Sequence, residues 1–292
     1  MTLRSRMRIA TWNVNSLPAR LDKVRWWIDR AAPDVLLLQE TKLADDKAPH
    51  DALGELGYTL AHHGEGRWNG VAIASRVGLD DVQTNFGLPP APADDPALLG
   101  EARMIAATAG GVRVASVYVP NGRSLGSAHY EAKLAWLDHL VGWARRTCDP
   151  AAPAVIGGDF NVAPGDLDVW DPAACHGGTH VSGAERERIA QLEAHGLVDA
   201  YRLRHPEGER YSWWDYRAGM FHKNYGMRID LLLVTRPLAE RVVFAEIDRV
   251  ARKGKPTPSD HAPVVVDIGE PGVPLDAGWA DADARIAARR RR

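Results

Sequence analysis

Short apolar runs rich in leucine and β-branched residues alternate along the chain with longer amphipathic stretches, and most of the runs stop at a polar residue. A run of about four to eight such residues suits a buried strand, whereas apolar positions recurring about every three to four residues mark one face of a helix. Residues 8–12, 34–39, 71–75, 112–119, 154–158, 229–234, 241–247 and 263–268 are therefore predicted strands, and residues 18–30, 129–145 and 183–195 predicted helices. Ser182 is a candidate N-cap for the third helix, whose acidic Glu185 and Glu187 suit its first turn. The alternation predicts an α/β fold, with residues 7–269 as one domain. Residues 87–100, rich in proline, alanine and aspartate, are expected to form a surface loop. Residues 270–292, which end in four arginines, are expected to be a basic, solvated tail.

Composition narrows the class. With 292 residues, 45% hydrophobic and 25% charged, the chain can bury a large core, which argues against disordered and membrane proteins. No apolar run after Met7 is long enough for a signal peptide or a span, so cytoplasmic residence is expected. Cys148 and Cys175 have neither a zinc-binding nor a redox spacing. A net charge of −2 gives no global basic footprint, yet positive residues gather at 202–210, 217–228 and 249–255, as expected of loops that hold phosphates around a cation-binding acidic cluster. No heptad pattern invites self-association, so a monomer is expected.

Strand ends are where an α/β sheet presents functional groups, and five of them here carry suitable side chains. They are Asn13 with Asn15, Glu40, Asp159 with Asn161, Asp230 beside Arg228 and Ile229, and Asp260 with His261. Glu40 alone is what any buried strand shows at its end. Asp159 stands out more, because Gly157 and Gly158 permit close backbone approach and Pro164-Gly165 turns the chain away. His261 lies between Pro258 and Pro263 beside one aspartate, the pattern of a general base or transition-state stabiliser. Oxygen donors from Asn13, Glu40, Asp159, Asn161 and Asp260, without a cysteine cluster, favour Mg²⁺, with Mn²⁺ as substitute, over zinc. Trp12-Asn13-Val14 and Phe160-Asn161-Val162 echo one another, as two facing halves sharing a cleft would.

The aromatics of Ser212-Trp213-Trp214-Asp215-Tyr216, with Phe221, Tyr225 and Met227, interleave with Arg217, His222, Lys223 and Arg228. Such clusters usually belong to a core, but the interleaved cations favour a loop that meets a nucleic-acid backbone. Lys42, Asn69, Asn121 and Arg123 lie in loops beside the chemical residues and are candidate phosphate contacts, as is Asn15.

Together, Ala10-Thr11-Trp12-Asn13-Val14-Asn15, Leu38-Gln39-Glu40-Thr41-Lys42, Asn69-Gly70-Val71, Tyr118-Val119-Pro120-Asn121-Gly122, Gly158-Asp159-Phe160-Asn161-Val162, Met227-Arg228-Ile229-Asp230 and Ser259-Asp260-His261-Ala262-Pro263 resemble the exonuclease III and abasic-site (AP) endonuclease family, within the endonuclease, exonuclease and phosphatase superfamily. The resemblance implies a four-layer α/β sandwich with two facing mixed β-sheets flanked by helices. It implies a metal-dependent hydrolase of double-stranded DNA that acts in repair at abasic sites and 3′ ends, as a 3′-to-5′ exonuclease, an AP endonuclease leaving 3′-hydroxyl ends, or both. In that scheme Asn13 and Glu40 hold the metal, with Asp260 a further candidate, and Tyr118 bonds the scissile phosphate. Asp159, beside Asn161, activates water, with His261 as the alternative base oriented by Asp230. Trp213, Met227 and Ile229 wall the pocket for a flipped-out abasic sugar, with Arg228 among them. Methionine at 227, where some relatives carry tryptophan, leaves the balance between the two activities open. The superfamily also contains phosphoesterases that act on inositol phosphates, lipids or RNA. No apolar membrane-contact stretch favours a lipid substrate, and a non-catalytic binding protein is disfavoured because Glu40, Asp159, Asp230, Asp260 and His261 are all present.

Overall fold

Alternation of side chains along the first strands gives them two apolar faces: Ile9, Val35, Leu37 and Ile73 share one core, while Ala10, Trp12, Leu36 and Leu38 belong to another. In the computed structural model, which describes residues 4–88 and 95–289, these residues lie in a six-stranded sheet. Its strands are β1 (Arg6–Asn13), β2 (Val35–Gln39), β3 (Thr59–His63), β4 (Val71–Ser75), β11 (Val242–Ile247) and β12 (Val264–Gly269), in the order β11-β12-β1-β2-β4-β3. The second sheet contains β5 (Asp80–Thr84), β6 (Met104–Ala109), β7 (Val112–Tyr118), β8 (Ala154–Asp159), β9 (Leu197–Asp199) and β10 (Asp230–Thr235), in the order β5-β6-β7-β8-β10-β9.

The shared core of the two sheets joins Ile9, Leu37 and Val266 of the first to Val114, Val155 and Leu232 of the second. Gly157 marks their closest approach: a Cβ there would stand 2.5 Å from Leu232 and 2.7 Å from Leu37 of the facing sheet. The helix Leu17–Ala31 covers the outside of the first sheet with Val24, Trp27 and Ile28. The helix Ala128–Thr147 covers the second with Trp136, Leu137 and Leu140. Helix, sheet, sheet and helix make the four-layer sandwich expected from the sequence. Ser182 caps the helix Gly183–Ala194 in a reciprocal box with Glu185, as expected.

Each sheet has a parallel pair at its centre, β1 with β2 and β7 with β8, flanked by antiparallel neighbours. By position, β1 therefore corresponds to β7, and β2 to β8. The echo of Trp12-Asn13 in Phe160-Asn161 joins strands that are not equivalent, so it is no mark of the repeat. The equivalent ends are Gln39-Glu40 and Asp159-Phe160, and each sheet thus offers an acid from the same place.

Four strands were not foreseen. β3 and β5 are polar strands at sheet edges, β6 is alanine-rich, and β9 has three residues, so none carries a β-branched apolar run. The solvated-tail expectation also needs correction over its described part. Val273 O accepts from Arg8 at 2.9 Å, and Trp279, only 4% exposed, donates its indole N–H to Ile247 O at 2.7 Å. A helix, Ala280–Arg289, follows. Residues 290–292, and residues 89–94 of the expected loop, lie outside the described residues.

Candidate active site

The C-terminal ends of the central parallel strands, β1 and β2 in one sheet and β7 and β8 in the other, meet at one rim. Asn13 ends β1, Glu40 follows β2, Tyr118 ends β7 and Asp159 ends β8. Asn13 Nδ2 donates to Glu40 Oε1 at 2.8 Å and to Asp159 Oδ2 at 2.9 Å, so one amide joins the two sheets. Its Oδ1 accepts from the Asn15 N–H at 3.0 Å, which fixes the orientation of the amide. Asn13 therefore meets the acids as a donor and turns its oxygen away, where a metal-ligand role would need that oxygen among them. Glu40, Asp159 and His261 instead bring one donor atom each to within 4.8 Å of one another. The Lys42 ammonium, 2.8 Å from Glu40 Oε2, shows that this carboxylate already seats positive charge.

His261 is oriented from behind. Its Nδ1 lies 2.8 Å from Asp230 Oδ2, and its Nε2 faces Asp159 Oδ2 at 3.7 Å. Trp12 Nε1 donates to His261 O at 3.1 Å, and Ser259 Oγ donates to Asn13 O at 2.7 Å, locking the Ser259-Asp260-His261 loop onto β1. Burial alone would lower the His261 pKa, but the charges of Asp230 and Asp159 outweigh it and raise it. Burial, with the Asp230 charge, raises the Asp159 pKa against the opposing pull of His261, Asn13 and Asn161. Tyr118, hydrogen-bonded to Glu40, is held well above the usual phenol range by burial first and the Glu40 charge second. Its hydroxyl is thus kept as a donor.

The remaining expected residues divide. Asn15 accepts from Lys42 Nζ at 2.7 Å and donates to Asp260 Oδ1 at 3.0 Å, and Trp213 Nε1 donates to Asp260 Oδ2 at 3.1 Å. Both Asp260 oxygens are thus engaged, and Asp260 is not in the three-residue cluster. Asn161 reaches Asp159 Oδ1 through its backbone N–H at 2.9 Å, while its side chain bonds Val119 O and Asn121. Trp213 and Met227, both half-buried, pack with buried Ile229, Ala163 and Val169, and the Trp213 ring lies 6.5 Å from that of His261. Asn121 and Arg123 are exposed on the loop after β7.

Two expected DNA contacts fail. Arg228 is fully buried, paired with Asp168 at 2.7 Å and Asp199 at 2.7 Å, and cannot reach DNA. Asn69 spends its amide donors on Glu65 at 2.6 Å and Glu101 at 3.1 Å. More broadly, much of the basic stretch 202–210 is neutralised internally, with Arg202 on Asp168 and Arg210 on Glu246.

Backbone strain gathers at this rim: Asn15, Glu40, Lys42, Asn69, Arg123 and Asn161 all have φ between 44° and 55°, a conformation costly outside glycine. A residue absent from the sequence reading helps hold it. Lys133, fully buried on the helix Ala128–Thr147, donates to Asn161 O at 2.6 Å, to Asn121 O at 3.3 Å and to Thr179 Oγ1 at 3.4 Å, and pairs with Glu185. One ammonium thus ties three loops together behind Asp159. The available signal was a lysine on a helix face otherwise made of Tyr130, Trp136, Leu137 and Leu140.

The sequence profile of the endonuclease/exonuclease/phosphatase family matches residues 10–261, and the chain belongs to that family. Within it, the chain is similar to an exodeoxyribonuclease III of Haemophilus influenzae, 32% identical over 275 residues that cover 88% of this chain and 98% of the relative. It is also similar in structure to a Neisseria 3′ phosphatase, NExo, solved with a product DNA hairpin, at 41% identity and a TM-score of 0.84, covering 90% of this chain and 99% of that one. An AP endonuclease of Archaeoglobus fulgidus matches at 36% identity and a TM-score of 0.83, covering 89% and 98% of the two chains.

Proposed function

We propose that the chain is a DNA-repair hydrolase of the exodeoxyribonuclease III and AP endonuclease type. The observation that carries this reading is the convergence of Glu40, Asp159 and His261 at one rim, with Asp230 behind the histidine. Glu40 and Asp159 would hold Mg²⁺ or Mn²⁺, their hard oxygens suiting such an ion, and His261 is left to act on the phosphate. When bound, the cation supplies neutralisation of non-bridging phosphate oxygens.

The chain's own residues do the rest. Asp159 accepts a proton from the attacking water, Asn13 and the Asn161 N–H keep its oxygens aimed, and water displaces the O3′ side of the phosphodiester. His261, fixed by Asp230, donates to a phosphate oxygen that gains charge, and Tyr118 donates a second hydrogen bond. Lys42 and Arg123 meet flanking phosphates. The wall of Trp213, Met227 and Ile229 fits a sugar that has lost its base, which unstacks cheaply.

The substrate is duplex DNA, at 3′ ends and at abasic sites. The likeness to NExo favours the 3′ end, and the likeness to the Archaeoglobus enzyme supports abasic incision. In a single preparation supplied with Mg²⁺, duplexes with a recessed 3′ end, a 3′-phosphate or a synthetic abasic site are cleaved, and the Asp159→Asn variant cleaves none. Cleavage of inositol phosphates or lipids with all DNA left intact would refute the reading.

A further inference from the structure

Buried arginines in this chain normally have acids beside them: Arg8 pairs with Asp267 at 2.6 Å, and Arg228 with two aspartates. Arg252 does not. It is 8% exposed, and its Nε is buried without a partner. Nη2 makes only a 3.4 Å bond to Trp214 O, and the guanidinium lies against the rings of Tyr216 and Phe221, 4.7 and 5.0 Å from their centres. Beside it stands a second arginine, half-buried, with no acid paired to it among the described residues. Arg20 donates to Asn15 O at 2.5 Å and to Tyr216 Oη at 3.3 Å, and its Nε too is buried without a partner. The nearby Asp260 favours the Arg252 charge from a distance, with its oxygens hydrogen-bonded to neutral Asn15 and Trp213, and Asp215 is held by Arg217 at 2.9 Å.

Two cations that repel one another, one of them nine-tenths buried, favour an anion in closer contact than Asp260, since a buried charge is costly without a direct partner. Aromatic faces offset part of that cost but do not neutralise it. Arg252 also lines an open cleft of 310 Å³, with Asp215, Tyr216, Phe221, His222 and Lys253. Arg20 stands at the edge of the cleft, bonded to its lining residue Tyr216, and holds Asn15, itself bonded to Lys42 and Asp260.

We propose that this cleft is a phosphodiester subsite, in which Arg252 and Arg20 hold a backbone phosphate of the duplex away from the one being cut. This rests on the reading of the chain as a DNA hydrolase. Arginine suits the task because its planar fork meets two phosphate oxygens at once. The bound phosphate supplies the missing negative charge, and the Arg20 contact transmits its position to Asn15.

Phosphate contacts leave a quantitative signature, because each one lowers the slope of log affinity against log salt by about 0.9. Binding of a duplex with a recessed 3′ end is measured from about 50 to 200 mM salt, with Mg²⁺, in an Asp159→Asn background that does not cut. Adding Arg252→Gln or Arg20→Gln makes the slope shallower by up to about 0.9, the share of the one phosphate they hold, and the double variant loses no more than that. Adding Arg146→Gln, at the far end of the helix Ala128–Thr147, leaves it unchanged. Should Arg252→Gln fail to fold, Arg20→Gln carries the test. A slope unaltered by Arg20→Gln in a protein that melts normally overturns the subsite while the DNA reading stands, as does competition at the cleft by inorganic phosphate with no effect on the duplex slope. No duplex binding by the background protein defeats both.

Discussion

Asp230 Oδ2 stands 2.8 Å from His261 Nδ1, and its other oxygen, Oδ1, is buried without a hydrogen-bond partner. The carboxylate thus faces the ring with little else to hold, and the ring's second nitrogen is left to face Asp159. Replacing Asp230 by asparagine keeps the shape and removes the charge. The kcat for duplex cleavage is expected to fall by about 10² to 10⁴, with a small change in KM, because the imidazolium loses its support where charge develops. Steady-state kinetics on a recessed 3′ end measure this; a change confined to KM would point to a binding role.

Glu40 carries a different expectation. Chelation is expected to abolish cleavage, and added Mg²⁺ or Mn²⁺ to restore it. In Glu40→Gln, which loses one of the cluster's charges, the Mg²⁺ concentration for half-maximal activity rises by roughly an order of magnitude or more. A magnesium titration of both proteins settles whether Glu40 is a ligand.

Lys133 acts through the loops it ties. Lys133→Met retains the aliphatic stem and removes the ammonium, and kcat is expected to fall about 10-fold or more. Combined with Asn161→Ala, the loss is smaller than the sum of the single effects, because the Lys133 ammonium and the Asn161 side chain hold the same loops, at Asn121 and Asn161, behind Asp159. Full additivity would separate Lys133 from the site.

Stability has its own test at Asp168. Burial alone would raise its pKa, but the charges of Arg228 and Arg202 outweigh this and lower it below the ordinary value. A depressed carboxyl stabilises the fold above its unfolded pKa, near about 4, and the contribution disappears as pH falls through the lower folded pKa. Asp168→Asn is therefore expected to cost about 3–5 kcal/mol at pH 7, since it strips a buried arginine of one partner. The gap from wild type narrows below about pH 4. Urea unfolding at neutral and acid pH reads both values.

The sequence revealed the strands that end in chemistry, because a buried strand of leucine and valine followed by a polar residue is visible without knowing what it packs against. Glu40 and Asp159 were legible for that reason, whereas His261 stood out beside Asp260 between two prolines, and Ser182 by its place before an amphipathic stretch. Arg228 was misread because its aromatic neighbours resemble a surface loop, while its partners Asp168 and Asp199 lie far off in the chain. The bonding of Asn13 was out of reach, since the direction of an amide depends on contacts across both sheets. Lys133 was hidden likewise: its acceptors come from three separate loops, none of them near it in sequence.

Pairing of β1 with β12, from Arg6 against Gly269 to Thr11 against Val264, sets the order in which the enzyme can come into being. β1 waits for β12 to complete its sheet, and Asp260 and His261 arrive just ahead of that closing strand. A chain in the making therefore carries Glu40 and Asp159 well before the histidine that comes to face them.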